Sequence, residues 1–327
     1  MTKINLSKKD INFILTQMDK KIIVTGVSGL LGSAIKKELE EDKNHEFLSS
    51  KDCNLLNLDS VSRAFEDGSK NGYDTIINCA AKVGGVKANI DDNEGFFMDN
   101  YIINKNVLEI AYKFKYKNVV SILSTCIFPD DVEYPLTADK IDQGPPHDSN
   151  YGYSYSKRLL GYQTKIFGSM IPDSNWISVI PTNIYGSNDN FNLENSHLVP
   201  ALIRKGYEAS LSGENFEVWG DGTPLRQFIY SEDLAKSILW AIKNWKKDEP
   251  FMAVNEAEYS IKEIVDIIAE RFNISEDRIK YDISKPKGQF RKSAKTDIPK
   301  SFEFTPLKDG MNKTIDWFIE NYETTRK

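Results

Sequence analysis

Residues 20–32 read KKIIVTGVSGLLG, and the fold turns on this stretch. Ile22, Ile23 and Val24 form a short β-branched run, the mark of a strand buried on both faces of a parallel sheet. Gly26, Gly29 and Gly32 follow at GxxGxxG spacing, and Ala34, Ile35 and Leu39 then recur at helical intervals. Glycines at a strand-to-helix turn let the backbone approach a pyrophosphate seated on the helix N-terminus. A glycine trio also suits a plain tight turn. Its position between a first strand and a helix favours a dinucleotide.

Working outward, residues 46–48 predict a second strand, followed by Ser49, Ser50, Lys51 and Asp52. An acid at that strand end would hold a ribose 2′-hydroxyl, whereas a cation with hydroxyls suits a 2′-phosphate. Lys51 precedes Asp52, so the sequence leans to NADP, with a solvated loop as the alternative. Residues 74–81 predict a third buried strand ending in Ala80 and Ala81, small enough for close approach to a dinucleotide. Cys79 lies within that apolar run and reads as core. Helices over 93–116 and 150–167 flank a central strand, 119–123, and another strand covers 176–180. This alternation predicts an α/β fold with a doubly wound parallel (Rossmann) sheet.

After Pro181 the pattern becomes irregular. Residues 183–190 read as loop, a helix spans about 197–207, and a short strand covers 217–219. Helical periodicity returns over 231–245 and 260–272, where Ser260 and Glu263 match a capping box. The expected organisation is an N-terminal extension (1–19), a dinucleotide-binding unit (20–185 with 227–256) and a smaller C-terminal substrate lobe (186–226 with 257–327). A chain of 327 residues is long enough for two such lobes.

The net charge of −6 argues against a nucleic-acid backbone as partner. No apolar run approaches the ~20 residues of a membrane span. Cys53, Cys79 and Cys126 are well separated and lack CxxC spacing, which fits a reducing compartment better than a disulfide framework or a zinc site. The histidines show no HExxH spacing, so no metal is expected. The first 19 residues lack the apolar core of a secretory signal, and a cytoplasmic protein is expected.

The candidate chemistry gathers at the end of the central strand, where VVSIL breaks into Ser124, Thr125 and Cys126. Ligands of open α/β sheets bind outside the carboxyl ends of the strands. Tyr153 and Lys157 share one helical face at i and i+4, where a cation can lower a phenol's pKa and hold a ribose. Tyr101/Lys105 and Tyr281/Lys285 have the same spacing, but only Tyr153/Lys157 begins the helix after Ser124. Cys126 sits two residues past Ser124 and so could face the same pocket. His197 alone would read as a structural or surface histidine.

The stretches STCIFP, GPPHDSNYGYSYSKR, IPTNIYGSNDNF, NSHLVPALIRK and VWGDGTPLRQFIYSEDLA resemble the GDP-L-fucose synthases. These are 3,5-epimerase/4-reductases of the extended short-chain dehydrogenase/reductase family. The likeness runs from about residue 21 to the C-terminus and leaves out the first 19 residues. It implies NADPH-dependent inversion at C3 and C5 of GDP-4-keto-6-deoxy-D-mannose, reduction at C4, and a homodimer. It implies a catalytic role for Ser124, Tyr153 and Lys157, with Cys126 and His197 as epimerisation base and acid. NADPH contacts are implied at Gly26, Ser28, Gly29, Leu30, Leu31, Gly32, Lys51, Ala80 and Ala81. Further NADPH contacts fall at Lys157, Pro181, Thr182, Asn183, Ile184 and His197. GDP-sugar contacts are implied at Ser124, Thr125, Cys126, Asn183, Lys205, Trp219, Arg226 and Lys292. Lys287 stands where relatives often carry an acid, a departure that bears on the sugar accepted. The alternatives are a related nucleotide-sugar 4-epimerase or dehydratase that keeps NAD bound, and a non-catalytic dinucleotide-sensing module.

Overall fold

The structure is a computed structural model that describes residues 20–40, 44–284 and 291–327. The expected N-terminal extension (1–19) and Lys287 lie outside the described residues.

The chain opens with β1 (Ile22–Thr25), α1 (Leu30–Leu39), β2 (His45–Leu48), α2 (Leu58–Lys70) and β3 (Thr75–Asn78). Next come α3 (Val86–Asp91), α4 (Asn93–Lys113), β4 (Asn118–Ile122), α5 (Tyr151–Ser169) and β5 (Asn175–Pro181). The later elements are β6 (Asn183–Tyr185), α6 (Leu198–Ser212), β7 (Phe216–Trp219), β8 (Leu225–Tyr230) and α7 (Ser231–Asn244). The chain ends with β9 (Phe251–Ala253), β10 (Glu258–Ser260), α8 (Ile261–Phe272), β11 (Ile279–Asp282), β12 (Arg291–Lys292) and α9 (Leu307–Glu320).

Six strands form one parallel sheet in the order β2-β1-β3-β4-β5-β9, the doubly wound arrangement expected. Every residue of β1 and β3 is buried because helices cover both faces: the apolar side chains pack there, and the polar Thr25 and Asn78 at the carboxyl ends are bonded to each other. On one face Ile23, Ile76 and Val119 meet Phe65 of α2, Val107 of α4 and Leu160 of α5. On the other, Ile22, Val24 and Val120 meet Ile35 of α1 with Leu234 and Ile238 of α7. A third core joins Phe191, Phe216 and Phe228 to Ile264 and Ile268 of α8 and Phe318 of α9.

Several expectations needed correction. Asn183–Tyr185, read as loop, is strand β6, because Phe228–Tyr230 of β8 pair with it in parallel register. Three residues carry too little pattern to announce a strand whose partner lies more than forty positions on. The third strand stops at Asn78, so Ala80 and Ala81 lie in the loop beyond it. Helices α2, α3 and α9 and strands β8 to β12 have no counterpart in the sequence reading. The predicted capping box at α8 is present: the Ser260 hydroxyl accepts the Glu263 N–H at 3.1 Å, and the Glu263 carboxylate accepts the Ser260 N–H at 2.7 Å.

Candidate active site

The glycine turn is shaped by close backbone approach. Gly26 has φ +71°, and a Cβ there would stand 2.7 Å from the Ala80 nitrogen. A Cβ on Gly32 would stand 2.2 Å from the Gly26 carbonyl oxygen, so α1 can approach β1 only without one. Gly29 caps α1 with no side-chain acceptor, and the first turn carries no acid. The N–H groups around Leu30 and Leu31 are thus left for an anion, with the helix dipole behind them. A pyrophosphate fits this cradle.

Beyond β2, the Asp52 carboxylate is turned back on its own loop. It accepts the Ser49 N–H (2.9 Å) and the Ser49 hydroxyl (2.6 Å), which hold it below the usual carboxylate range. Lys51 is exposed at the same turn, leaving a cation rather than an acid to meet a ribose 2′-position. At the end of β3 the Asn78 amide oxygen accepts the Thr25 hydroxyl (2.7 Å) and the Ala80 N–H (3.2 Å). Asn100 of α4, which sequence reasoning missed, is fully buried and brackets Lys82 through both its backbone groups. It thereby fixes the loop after Ala81. An Asn on the buried stripe of α4 was the available signal.

Lys157 is 4% exposed and its ammonium donates to the Ile122 carbonyl at 2.8 Å. Burial lowers its pKa from 10.5 to about 8, opposed by the Cys79 thiol. Cys79, packed against the core as expected, is pushed up to about 12 by burial, with Lys157 opposing. The expected lowering of the Tyr153 phenol by Lys157 is not found. The ammonium lies 5.8 Å from the Tyr153 ring centroid and is directed at Ile122. Burial raises the phenol's pKa, Cys126 raises it further, and a hydrogen bond with Ser124 offsets part of the rise. A phenol in this state keeps its proton until a developing oxyanion takes it.

Ser124, Cys126 and Tyr153 are therefore brought together. Ser124 lies two residues past the end of β4, and its hydroxyl accepts the Cys126 N–H at 3.2 Å, starting the 3₁₀ turn Thr125–Ile127. That turn carries Thr125 and the half-buried Cys126 past the strand end.

His197 precedes α6, whose first turn accommodates Pro200. Surrounding protein lowers its pKa by desolvation, although more than a third of the residue is accessible. That combination places the imidazole against protein atoms at the surface rather than in a core. The preceding segment is tied to α3, since Gly85 N–H donates to the Asn195 carbonyl at 2.9 Å. Gly84 in turn lies against Phe96, whose ring meets Tyr153 edge-on at 6.3 Å. These contacts tie the segment before His197 towards Phe96 and Tyr153; they do not involve the His197 imidazole itself.

Pro181 ends β5, Thr182 is buried beyond it, and Ile184 lies in β6, where the Asn183 amide donates to the Gln227 carbonyl at 2.8 Å. The expected sugar-nucleotide residues form two pairs. The Lys205 ammonium lies 4.9 Å from the Trp219 ring centroid, and Trp219 is 53% exposed. Arg226 of β8 stands opposite Lys292 of β12 in register.

The description "NAD dependent epimerase/dehydratase family" fits residues 22–255 of this chain. A GDP-L-fucose synthase of Dictyostelium discoideum is 39% identical over 95% of this chain and 99% of its own length. A probable GDP-L-fucose synthase of Drosophila melanogaster is 40% identical over 94% of this chain and all of its own. Among solved structures, a GDP-L-fucose synthetase from Naegleria fowleri bound to NADP superposes with a TM-score of 0.88 at 37% identity. That likeness covers 95% of this chain and 96% of the other.

Proposed function

This chain belongs to the NAD dependent epimerase/dehydratase family, and on that premise we propose that it makes GDP-L-fucose, inverting C3 and C5 of GDP-4-keto-6-deoxy-D-mannose and reducing C4 with NADPH. The observation that carries the proposal is the meeting of Ser124, Cys126 and Tyr153 at the carboxyl end of β4, above the buried Lys157.

NADPH supplies the hydride when bound. Gly26, Gly29 and Gly32 would admit its pyrophosphate, Lys51 would meet the 2′-phosphate, and Lys157 would hold the nicotinamide ribose. Ala80 and Ala81 with the 181–184 segment line the remaining approach. The 4-ketone of the sugar acidifies the C–H bonds at C3 and C5. Cys126 takes those protons as thiolate, and His197 returns protons from the opposite side of the ring. Ser124 and Tyr153 hydrogen-bond the oxyanion at O4, and Tyr153 then gives O4 its proton. Lys205 with Trp219, and Arg226 with Lys292, hold the GDP portion.

The cofactor unit comprises 20–185 with 227–256, and the sugar-nucleotide lobe 186–226 with 257–327. The third hydrophobic core, drawn mostly from that lobe, supports this division, while Tyr185, Phe228 and Tyr230 join it from the cofactor unit and Ala294 and Ile298 pack the other way. The chain acts as a homodimer through α5, where Tyr162 and Ile166, with Met170 at the helix C-cap, leave an exposed apolar stripe at i, i+4 and i+8. It works in the cytoplasm, in keeping with three free cysteines and with no helix among the described residues long and apolar enough to cross a membrane.

Turnover of the ketosugar in D₂O tests the assignment. The wild type places solvent deuterium at C3 and C5 of the product. Cys126→Ser loses that wash-in, because a serine hydroxyl is a far weaker acid than a thiol of pKa ~8.5 and supplies no base at neutral pH. Deuterated, inverted product at the normal rate from Cys126→Ser would return Cys126 to a packing role.

A further inference from the structure

Arg158 follows Lys157 on α5 and points its guanidinium at the turn that carries Cys126. Its Nε donates to the Ile127 carbonyl at 3.1 Å, its Nη2 donates to the same carbonyl, and its Nη1 donates to the Gly144 carbonyl at 3.1 Å. The guanidinium carbon lies 5.3 Å from the Tyr155 ring centroid, which holds the group from its flank. Ile127 ends the 3₁₀ turn and is 1% exposed. Cys126 is therefore bracketed, by the Ser124 hydroxyl before it and by the Arg158 fork after it. Only a planar group with several fixed donors can serve one carbonyl twice and a second carbonyl on another segment.

We infer that Arg158 is a positioning residue for epimerisation: it clamps the Thr125–Ile127 turn so that the Cys126 thiol stays within reach of the ring carbons it deprotonates. The inference rests on the role proposed above for Cys126. The Ser124 backbone and Lys157 have anchors of their own outside the clamp. Ser124 follows Leu123, whose N–H is bonded to the Val179 carbonyl at 2.8 Å, and Lys157 is held by its own bond to Ile122. Hydride transfer should thus survive a loosened turn better than proton abstraction does. Removing a proton from carbon requires the reacting atoms to sit at about 3–3.5 Å, and a displacement of ~1 Å can cost about a hundredfold.

Arg158→Met keeps the aliphatic stem and removes every donor. Arg158→Lys keeps the charge and one reach to Ile127. Both are assayed as NADPH complexes for deuterium wash-in at C3 and C5 of the ketosugar. Hydride transfer is isolated by the reverse oxidation of GDP-L-fucose with NADP, which needs no inversion. Wash-in by Arg158→Met should fall about ten- to a hundredfold while the reverse oxidation falls less than about threefold, and Arg158→Lys should recover part of the wash-in. Equal losses in both assays would make Arg158 an ordinary brace, and unchanged wash-in would remove it from the mechanism. If the Met variant fails to fold, the Lys variant decides: wash-in equal to wild type overturns the inference, and a selective loss supports it. Cys126→Ser in the same assay separates the two layers. Retained wash-in there defeats the Cys126 assignment, whereas lost wash-in there beside normal wash-in in the Arg158 variants defeats the clamp alone.

Discussion

Replacing Lys157 with methionine sets the stability of the cofactor-free protein against its function. The ammonium is 4% exposed, and its pKa falls from 10.5 to about 8 through burial. At about 1.4 kcal/mol per pH unit that fall corresponds to roughly 3 kcal/mol of penalty on the charged form at pH 7. Methionine has nearly the same length and carries no such penalty, but it leaves the Ile122 carbonyl without its donor, at a cost of about 1–2 kcal/mol. The variant should therefore be more stable than wild type by about 1–2 kcal/mol in urea unfolding at pH 7, with an unchanged slope. Between about pH 8 and 10.5 the unfolded lysine keeps its proton and the folded one releases it. The unfolded state then binds more protons, and wild-type stability rises with pH over that window. The variant lacks this contribution, so its advantage should shrink from pH 8 upward by about 1.4 kcal/mol per pH unit, vanish near about pH 9 to 9.5 and reverse by about 10.5. Added NADPH should stabilise wild type and not Lys157→Met. A variant less stable than wild type at pH 7, or an advantage flat from pH 8 to 10, would refute the argument from burial.

Tyr153→Phe should abolish reduction while NADPH affinity by fluorescence titration stays within about threefold, since backbone and Lys157 hold the cofactor; turnover near wild type would remove the phenol from the mechanism. Lys51→Ala should raise KM for NADPH by about tenfold or more and leave NADH nearly unchanged, through loss of one charge-assisted contact; equal effects on both would contradict the 2′-phosphate contact. Gly32→Ala places a methyl 2.2 Å from the Gly26 carbonyl oxygen, so soluble protein with normal NADPH binding would show that the glycine turn opens more easily than its geometry implies.

The sequence by itself determined what neighbouring residues decide. The run from Ile22 to Leu39 needs only a buried strand, a turn free of side chains and a helical repeat, all within eighteen residues. Tyr153 and Lys157 share a face because one helix turn puts them there. The alternation of strand and helix then left the parallel sheet as its natural assembly, and the Ser124–Cys126 break could be placed at a carboxyl edge. Other features wait on partners far along the chain. Three residues became β6 only because β8 lies beside them. Asn100 reads as one more helical residue until Lys82 is set against it. The Tyr153 phenol has its pKa raised rather than lowered because Lys157 turns to a carbonyl 35 positions away and burial acts on both groups. Arg158 could be any helix-surface arginine until the turn after β4 folds back onto it. Desolvation and hydrogen-bond choice depend on everything within a few ångströms of a group, and that neighbourhood exists only once the chain has closed on itself.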